Sequence, residues 1–148
     1  MNLFERYKRW RHGHGFGVHS PLAYDIITSV LKDYPGYYSD EEINKFYCGK
    51  RERRIARIIL RLITRFEPRS VFVDNKYKPA VKLSDSRIQF PEAPHLCGME
   101  IKMLNDKTVI RVGEVYATNG PLILSNLKDL EIVIYRKGVS PQQIITNL

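Results

Sequence analysis

Apolar positions along this chain change their period near residue 70. Before that point they recur every three or four residues, as on one face of a helix; after it they alternate or cluster in short blocks, as in strands. The clearest helical stripe joins Ile55, Ile58, Ile59, Leu62, Ile63 and Phe66, with Arg53, Arg54, Arg57, Arg61 and Arg65 assigned to the other faces. It predicts a helix over about 51–66, ended by Pro68. Leu3 to Arg11 predicts a short amphipathic helix, which Gly13, Gly15 and Gly17 stop. Ser20-Pro21 predicts the next start, with Ser20 as N-cap and Pro21 at the first helical position. Leu22, Ile26, Ile27, Val30 and Leu31 give that helix its apolar face, and Tyr34-Pro35-Gly36 closes it. Ser39-Asp40-Glu41-Glu42 reads as a capping box, with a helix through about Tyr47.

Strands are predicted at Val71–Val73, Arg87–Phe90, Met99–Leu104, Thr108–Val112 and Leu130–Tyr135, with Asn105-Asp106 as a tight hairpin turn. Gly120–Leu127 reads as a short helix and Gln142–Leu148 as a terminal strand. No internal repeat or linker interrupts the chain. Residues 1–69 and 70–148 therefore read as a helical layer and a mainly strand layer of a single domain spanning 1–148. Helices first and strands later is the order of an α+β protein with a mostly antiparallel sheet.

A second signal lies in His14-Gly15-Phe16-Gly17-Val18-His19-Ser20-Pro21, in Tyr37-Tyr38-Ser39-Asp40, and in the Arg-Leu-rich helix that runs through Pro68 into Ser70-Val71-Phe72-Val73-Asp74. Together these residues resemble a bacterial family of class I S-adenosylmethionine (SAM)-dependent methyltransferases, which opens with a basic helix and the same histidine-glycine turn. The likeness covers roughly residues 5–74 in pieces. Glu131–Tyr135 with Gln142–Ile145 resembles the family's closing hairpin. The resemblance implies an α/β protein, a reduced Rossmann-like domain with N-terminal helices. It also implies a place near the cofactor for Asp74 and Asn75, and a ribose-binding role for Glu92, eighteen residues after Asp74.

The chain departs from the family where the cofactor chemistry sits. Asn75-Lys76-Tyr77-Lys78-Pro79 occupies the place of a Gly-x-x-x-Gly turn, and residues 75–129 are short for the usual strands and crossover helices. Glycines after the first strand let the backbone approach a cofactor; here three side chains enter that space and Pro79 removes a donor. The expectation is that SAM, the one candidate cofactor, is not bound tightly, and no catalytic residue is assigned. The first functional reading is a degenerate, non-catalytic methyltransferase-like binding or interaction module. Its rivals are an active SAM-dependent methyltransferase with a non-standard loop and a basic nucleic-acid-binding module.

His14, Gly15, Gly17, His19 and Ser20 are read as a structural turn, with Gly15 and Gly17 in backbone angles closed to other residues. His12, His14 and His19 lack a carboxylate or thiolate at helical spacing, so no metal is assigned. His95 and Cys97 lack an orienting group, which leaves Cys97 an inert thiol.

Charge adds a further candidate. The net charge is +8, with 14 Lys/Arg against 8 Asp/Glu in residues 1–69 and 10 against 8 in residues 70–148, so the helical half carries most of the excess. Arg51, Arg53, Arg54 and Arg57 have the spacing to track phosphates, and Tyr7, Trp10 and Phe16 are rings on which bases stack. The plainer reading of the same charges is a solvated helical surface. An unidentified protein or small molecule is the other class of partner. No apolar run approaches the ~20 residues that span a bilayer, and Met1 to Arg11 is charged, unlike a signal peptide. Cys48 and Cys97 lack metal spacing and need not pair, so a reduced, cytoplasmic setting without a membrane partner is expected.

Overall fold

The apolar stripe of residues 55–63 is the centre of the protein. In a computed structural model, which describes residues 2–13, 21–30, 38–92, 98–113, 121–135 and 142–146, it lies on α4 (Lys50–Phe66). Ile55, Ile58, Ile59, Leu62 and Ile63 are buried as the spacing predicts, but so are Ala56, Leu60 and Arg61. Arg61 therefore does not belong to a solvated face. α4 is enclosed on several sides because it shares one core with the sheet, with α3 (Tyr38–Phe46) and α5 (Lys78–Ser84), and with the segment 21–30. That segment begins as α2 (Pro21–Asp25) and widens into a π turn at Ile26–Val30. Glu67 ends α4 in the left-handed region (φ 49°, ψ 53°), its N–H donating to the Ile63 carbonyl at 2.8 Å.

α1 (Leu3–Gly13) forms where expected, capped by a reciprocal pair: the Glu5 N–H donates to Asn2 Oδ1 at 2.8 Å and the Asn2 N–H to Glu5 Oε2 at 3.3 Å. α3 begins at Tyr38, so Ser39 lies inside the first turn and is not the N-cap that the capping box predicted. The His14–Ser20 turn falls outside the described residues, as does the His95–Cys97 segment.

Six strands form one sheet: β1 (Val71–Val73), β2 (Met99–Leu104), β3 (Lys107–Gly113), β4 (Leu122–Ser125), β5 (Leu130–Tyr135) and β6 (Gln142–Ile145), in the order β1-β2-β3-β5-β4-β6. β1–β2, β3–β5 and β4–β6 are parallel, while β2–β3 and β4–β5 are antiparallel. The Arg87–Phe90 strand shrinks to a single parallel bridge between Gln89 and Ser70. β1 thus has parallel neighbours on both sides, and α5 makes the crossover between them. The protein is an α/β fold, not the mostly antiparallel α+β alternative.

Two local assignments change. Gly120–Leu127 is not a helix: Leu122-Ile123-Leu124-Ser125 is β4, an inner strand whose Leu122 and Leu124 are fully buried. α5 was not anticipated, though Pro79 in its first turn is a helix-start signal. The hairpin at Asn105-Asp106 forms as read, with φ of 47° and 66°, the two positive angles that match the twist of flanking strands.

One sheet face is almost continuous hydrocarbon, including Val73, Ile101, Ile110, Ile132, Leu124 and Ile144 in register. The opposite face carries Glu100, whose carboxylate pairs with Lys102 at 3.2 Å and Arg111 at 3.8 Å. Arg111 in turn lies over the Tyr135 ring, 5.5 Å from its centroid. The strand alternation is therefore amphipathic.

Candidate functional site

Parallel α/β sheets bind ligands outside the carboxyl ends of their strands, at turns such as the one after β1. Here that turn is closed from within. Asp74 Oδ1 accepts the Lys76 N–H at 3.1 Å, an Asx turn that folds the chain directly into α5. Tyr77, only 1% exposed, then drops into the core and its ring lies 5.8 Å from that of Tyr47. The Tyr47 hydroxyl donates to the Lys76 carbonyl at 2.7 Å, and Lys76 Nζ pairs with Glu52 at 3.0 Å. Side chains and self-bonded backbone occupy the ground where glycines would leave room.

Of the three residues proposed for a cofactor, Asp74 and Asn75 adjoin in this turn and both are exposed. Glu92 is also exposed, and among the described residues no hydrogen bond or ion pair joins it to Asp74. Tyr47 and Tyr77 are the residues that the sequence reading did not single out as a pair. Their separation by thirty positions hides a contact that only the α3–α5 packing creates.

Burial pushes the Tyr47 phenol up to about 12, with Tyr77, Asp74 and Glu52 adding to the effect, and burial likewise raises Tyr77. A phenol whose folded pKa lies above its unfolded value holds its proton longest in the native state. Its contribution is complete below about 10 and is lost as pH climbs towards about 12, because the unfolded chain ionises first. Tyr47→Phe should lower stability by about 0.5–1.5 kcal/mol at neutral pH through the lost hydrogen bond, and should flatten the alkaline decline. Urea midpoints measured across pH 8 to pH 12, as chosen test conditions, check both effects; an unchanged alkaline slope would assign the decline to other groups.

A second group of side chains lies at the same end of the sheet. β1, β2, β4 and β6 all have their carboxyl ends there, and α4, running antiparallel to β1, brings its first turns to the same rim. Asp129, in the β4–β5 turn, receives Arg51 Nε at 3.0 Å and Arg54 Nη2 at 3.0 and 3.1 Å. Asn126 Nδ2 donates to the same carboxylate at 2.7 Å, while its own Oδ1 accepts the N–H groups of Lys128, Asp129 and Leu130 at 2.9–3.1 Å. Arg51 also donates to the Asp106 carbonyl of the β2–β3 turn.

Arg9 approaches from α1, its Nε 3.5 Å from the carbonyl oxygen of Thr146, whose N–H donates to Ser125 at 2.8 Å. Burial lowers the Arg9 pKa, and the neighbouring Arg54 lowers it further. Among the described residues Arg54 Nε and the hydroxyl of the fully buried Thr146 have no hydrogen-bond partner. Arg51 and Arg54 thus share one carboxylate, with the Arg9 guanidinium close by. Arg53 does not join them: its Nε donates to the Tyr47 carbonyl at 2.6 Å, tying α4 to the end of α3. Arg57 lies one turn further along α4. The basic run was legible in the sequence, whereas Arg9, Asn126, Asp129 and Thr146 are gathered only by tertiary packing.

At the other end of the sheet lies a cleft of about 310 Å³ lined by Phe66, Arg69, Gly98 and Gly113 among others. It sits at the amino end of β1, away from the carboxyl rim. Among the described residues no helix is long and apolar enough to cross a membrane, and Cys48 is a free, exposed thiol. No protein-family model matches this chain, and neither a curated protein nor a solved structure matches it.

Proposed function

We propose that this protein is a non-catalytic binding module built on a methyltransferase-like α/β scaffold. The observation that carries the reading is Tyr77, 1% exposed and stacked on Tyr47 immediately after β1. A nucleoside cofactor needs open backbone N–H groups at that position, and here the Asp74 carboxylate has already taken the Lys76 N–H. Asp74 and Glu92 are both exposed to solvent. The scaffold keeps the buried α4–β1 unit while the turn that would handle chemistry is used for packing.

Isothermal titration calorimetry with SAM and with its demethylated product tests the proposal. The expected result is no saturable heat. A dissociation constant near or below ~10 μM, about −7 kcal/mol, would overturn it and favour an active methyltransferase with an unusual loop.

A further inference from the structure

α1 is built inside out. About 3.6 residues per turn place Leu3, Phe4, Tyr7 and Trp10 along one stripe, and that stripe faces solvent. The four side chains are 81, 70, 55 and 49% exposed, whereas Glu5 and Arg9 on the opposite side are half-buried. An apolar stripe normally turns inward because burial of each large side chain is worth roughly 1.5–3 kcal/mol. Here the polar side docks against the protein through Arg9, and the aromatic side is left outward. The Tyr7 and Trp10 rings are near-parallel, 20° apart with centroids 6.3 Å from each other, and the Arg11 guanidinium lies 5.9 Å from the Tyr7 centroid.

Charge narrows the choice of occupant. Arg6, Lys8, Arg9 and Arg11 on this helix face one acid, Glu5, whose carboxylate accepts the Asn2 N–H at the helix start. Two copies of such a helix repel each other, so a symmetric dimer through this face is disfavoured. At the adjoining carboxyl rim Arg51 and Arg54 share the Asp129 carboxylate, and Arg9 on the docked side of α1 lies close enough to Arg54 to feel its charge. Flat exposed rings beside a cationic track are what a flexible polyanion with aromatic bases requires: bases stack on the rings and phosphates follow the cations.

We infer that α1 and the adjoining Arg51–Arg54 rim bind single-stranded nucleic acid, with bases stacked on Tyr7 and Trp10 and phosphates held by Arg6, Arg11 and Arg51. The inference rests on the binding-module reading and supplies its class of partner. It requires no base-specific contact, so affinity is set by stacking and charge and varies little with sequence.

The only tryptophan in the chain is Trp10, so its fluorescence reports on the proposed surface. Titrating the full chain with oligothymidylate or oligouridylate of ~20 nucleotides, a length within the range of single-strand sites, should quench that emission at low ionic strength. Binding should weaken as salt rises, with log K falling by about 0.7 per phosphate contact against log salt. R6Q combined with R11Q should reduce that slope by about 1.4. Tyr7→Ala should weaken binding about fivefold or more through the lost stacking face.

Several outcomes overturn the inference: an oligonucleotide that leaves Trp10 emission unchanged, or binding indifferent to salt. Emission that shifts to the blue on phosphatidylglycerol–phosphatidylcholine vesicles while oligonucleotides have no effect would assign the stripe to a membrane surface. Sedimentation showing a dimer in which Trp10 is shielded would assign it to a second copy. Because the oligonucleotide is probed separately from SAM, silence here overturns only the partner. Heat with SAM overturns the non-catalytic reading even where oligonucleotides bind.

Discussion

Leu62→Ala should lower the unfolding free energy by about 2–5 kcal/mol, read as a fall in the urea midpoint at unchanged slope. Leu62 is fully buried, and its neighbours on the stripe, Ile58, Ile59 and Ile63, are at most 3% exposed. Enclosure of α4 by the sheet on one side and by residues 21–30 on another limits how far the cavity can collapse. The upper half of the range is therefore expected. A loss under about 0.5 kcal/mol would show that α4 is not the central helix. A loss accompanied by a changed denaturant slope would instead point to an altered unfolded or partly folded state.

Gly113→Ala should be comparably damaging although it adds a single methyl group. Gly113 ends β3 with φ of 97°, and an ideal Cβ there would lie 1.9 Å from the Tyr135 carbonyl oxygen. The obstacle is backbone in the neighbouring strand, so no rotamer change relieves it. Its N–H also donates to the Gly98 carbonyl at 2.9 Å, which fixes the strand end from the other side. Adding a strain cost of about 1–3 kcal/mol for the backbone angle to a similar cost for the overlap gives an expected loss of about 2–6 kcal/mol. Hydrogen exchange should show the loss concentrated at the end of the β3–β5 pair. Wild-type stability with wild-type protection there would refute the close approach.

Legibility in the sequence followed the range of the interaction that decides each element. α4 could be read because its pattern repeats over four turns, and the Asn105-Asp106 hairpin because the turn residues themselves adopt its positive angles. β4 was misread because Leu122-Ile123-Leu124 is apolar at every position, a run that periodicity cannot divide between a buried helix and an inner strand. α5 is seven residues long, too short to display a stripe. At the candidate site Asn75-Lys76-Tyr77 made it legible that no glycine turn follows β1. What stands there instead was not legible, because Tyr47 reaches Tyr77 only after α3 and α5 have packed. The Arg54–Asp129 contact spans 75 positions and had no local signal.

The contact between Arg9 and Thr146 joins residues 137 positions apart, almost the whole length of the chain. During synthesis α1 leaves the ribosome well before the strand it rests against. The helix must therefore wait, formed or unformed, while α4 and the sheet assemble without it. Its outward rings need no part of that assembly to be accessible. For this helix, docking against β6 has to follow the making of that strand, and its aromatic stripe is displayed to the surroundings before then.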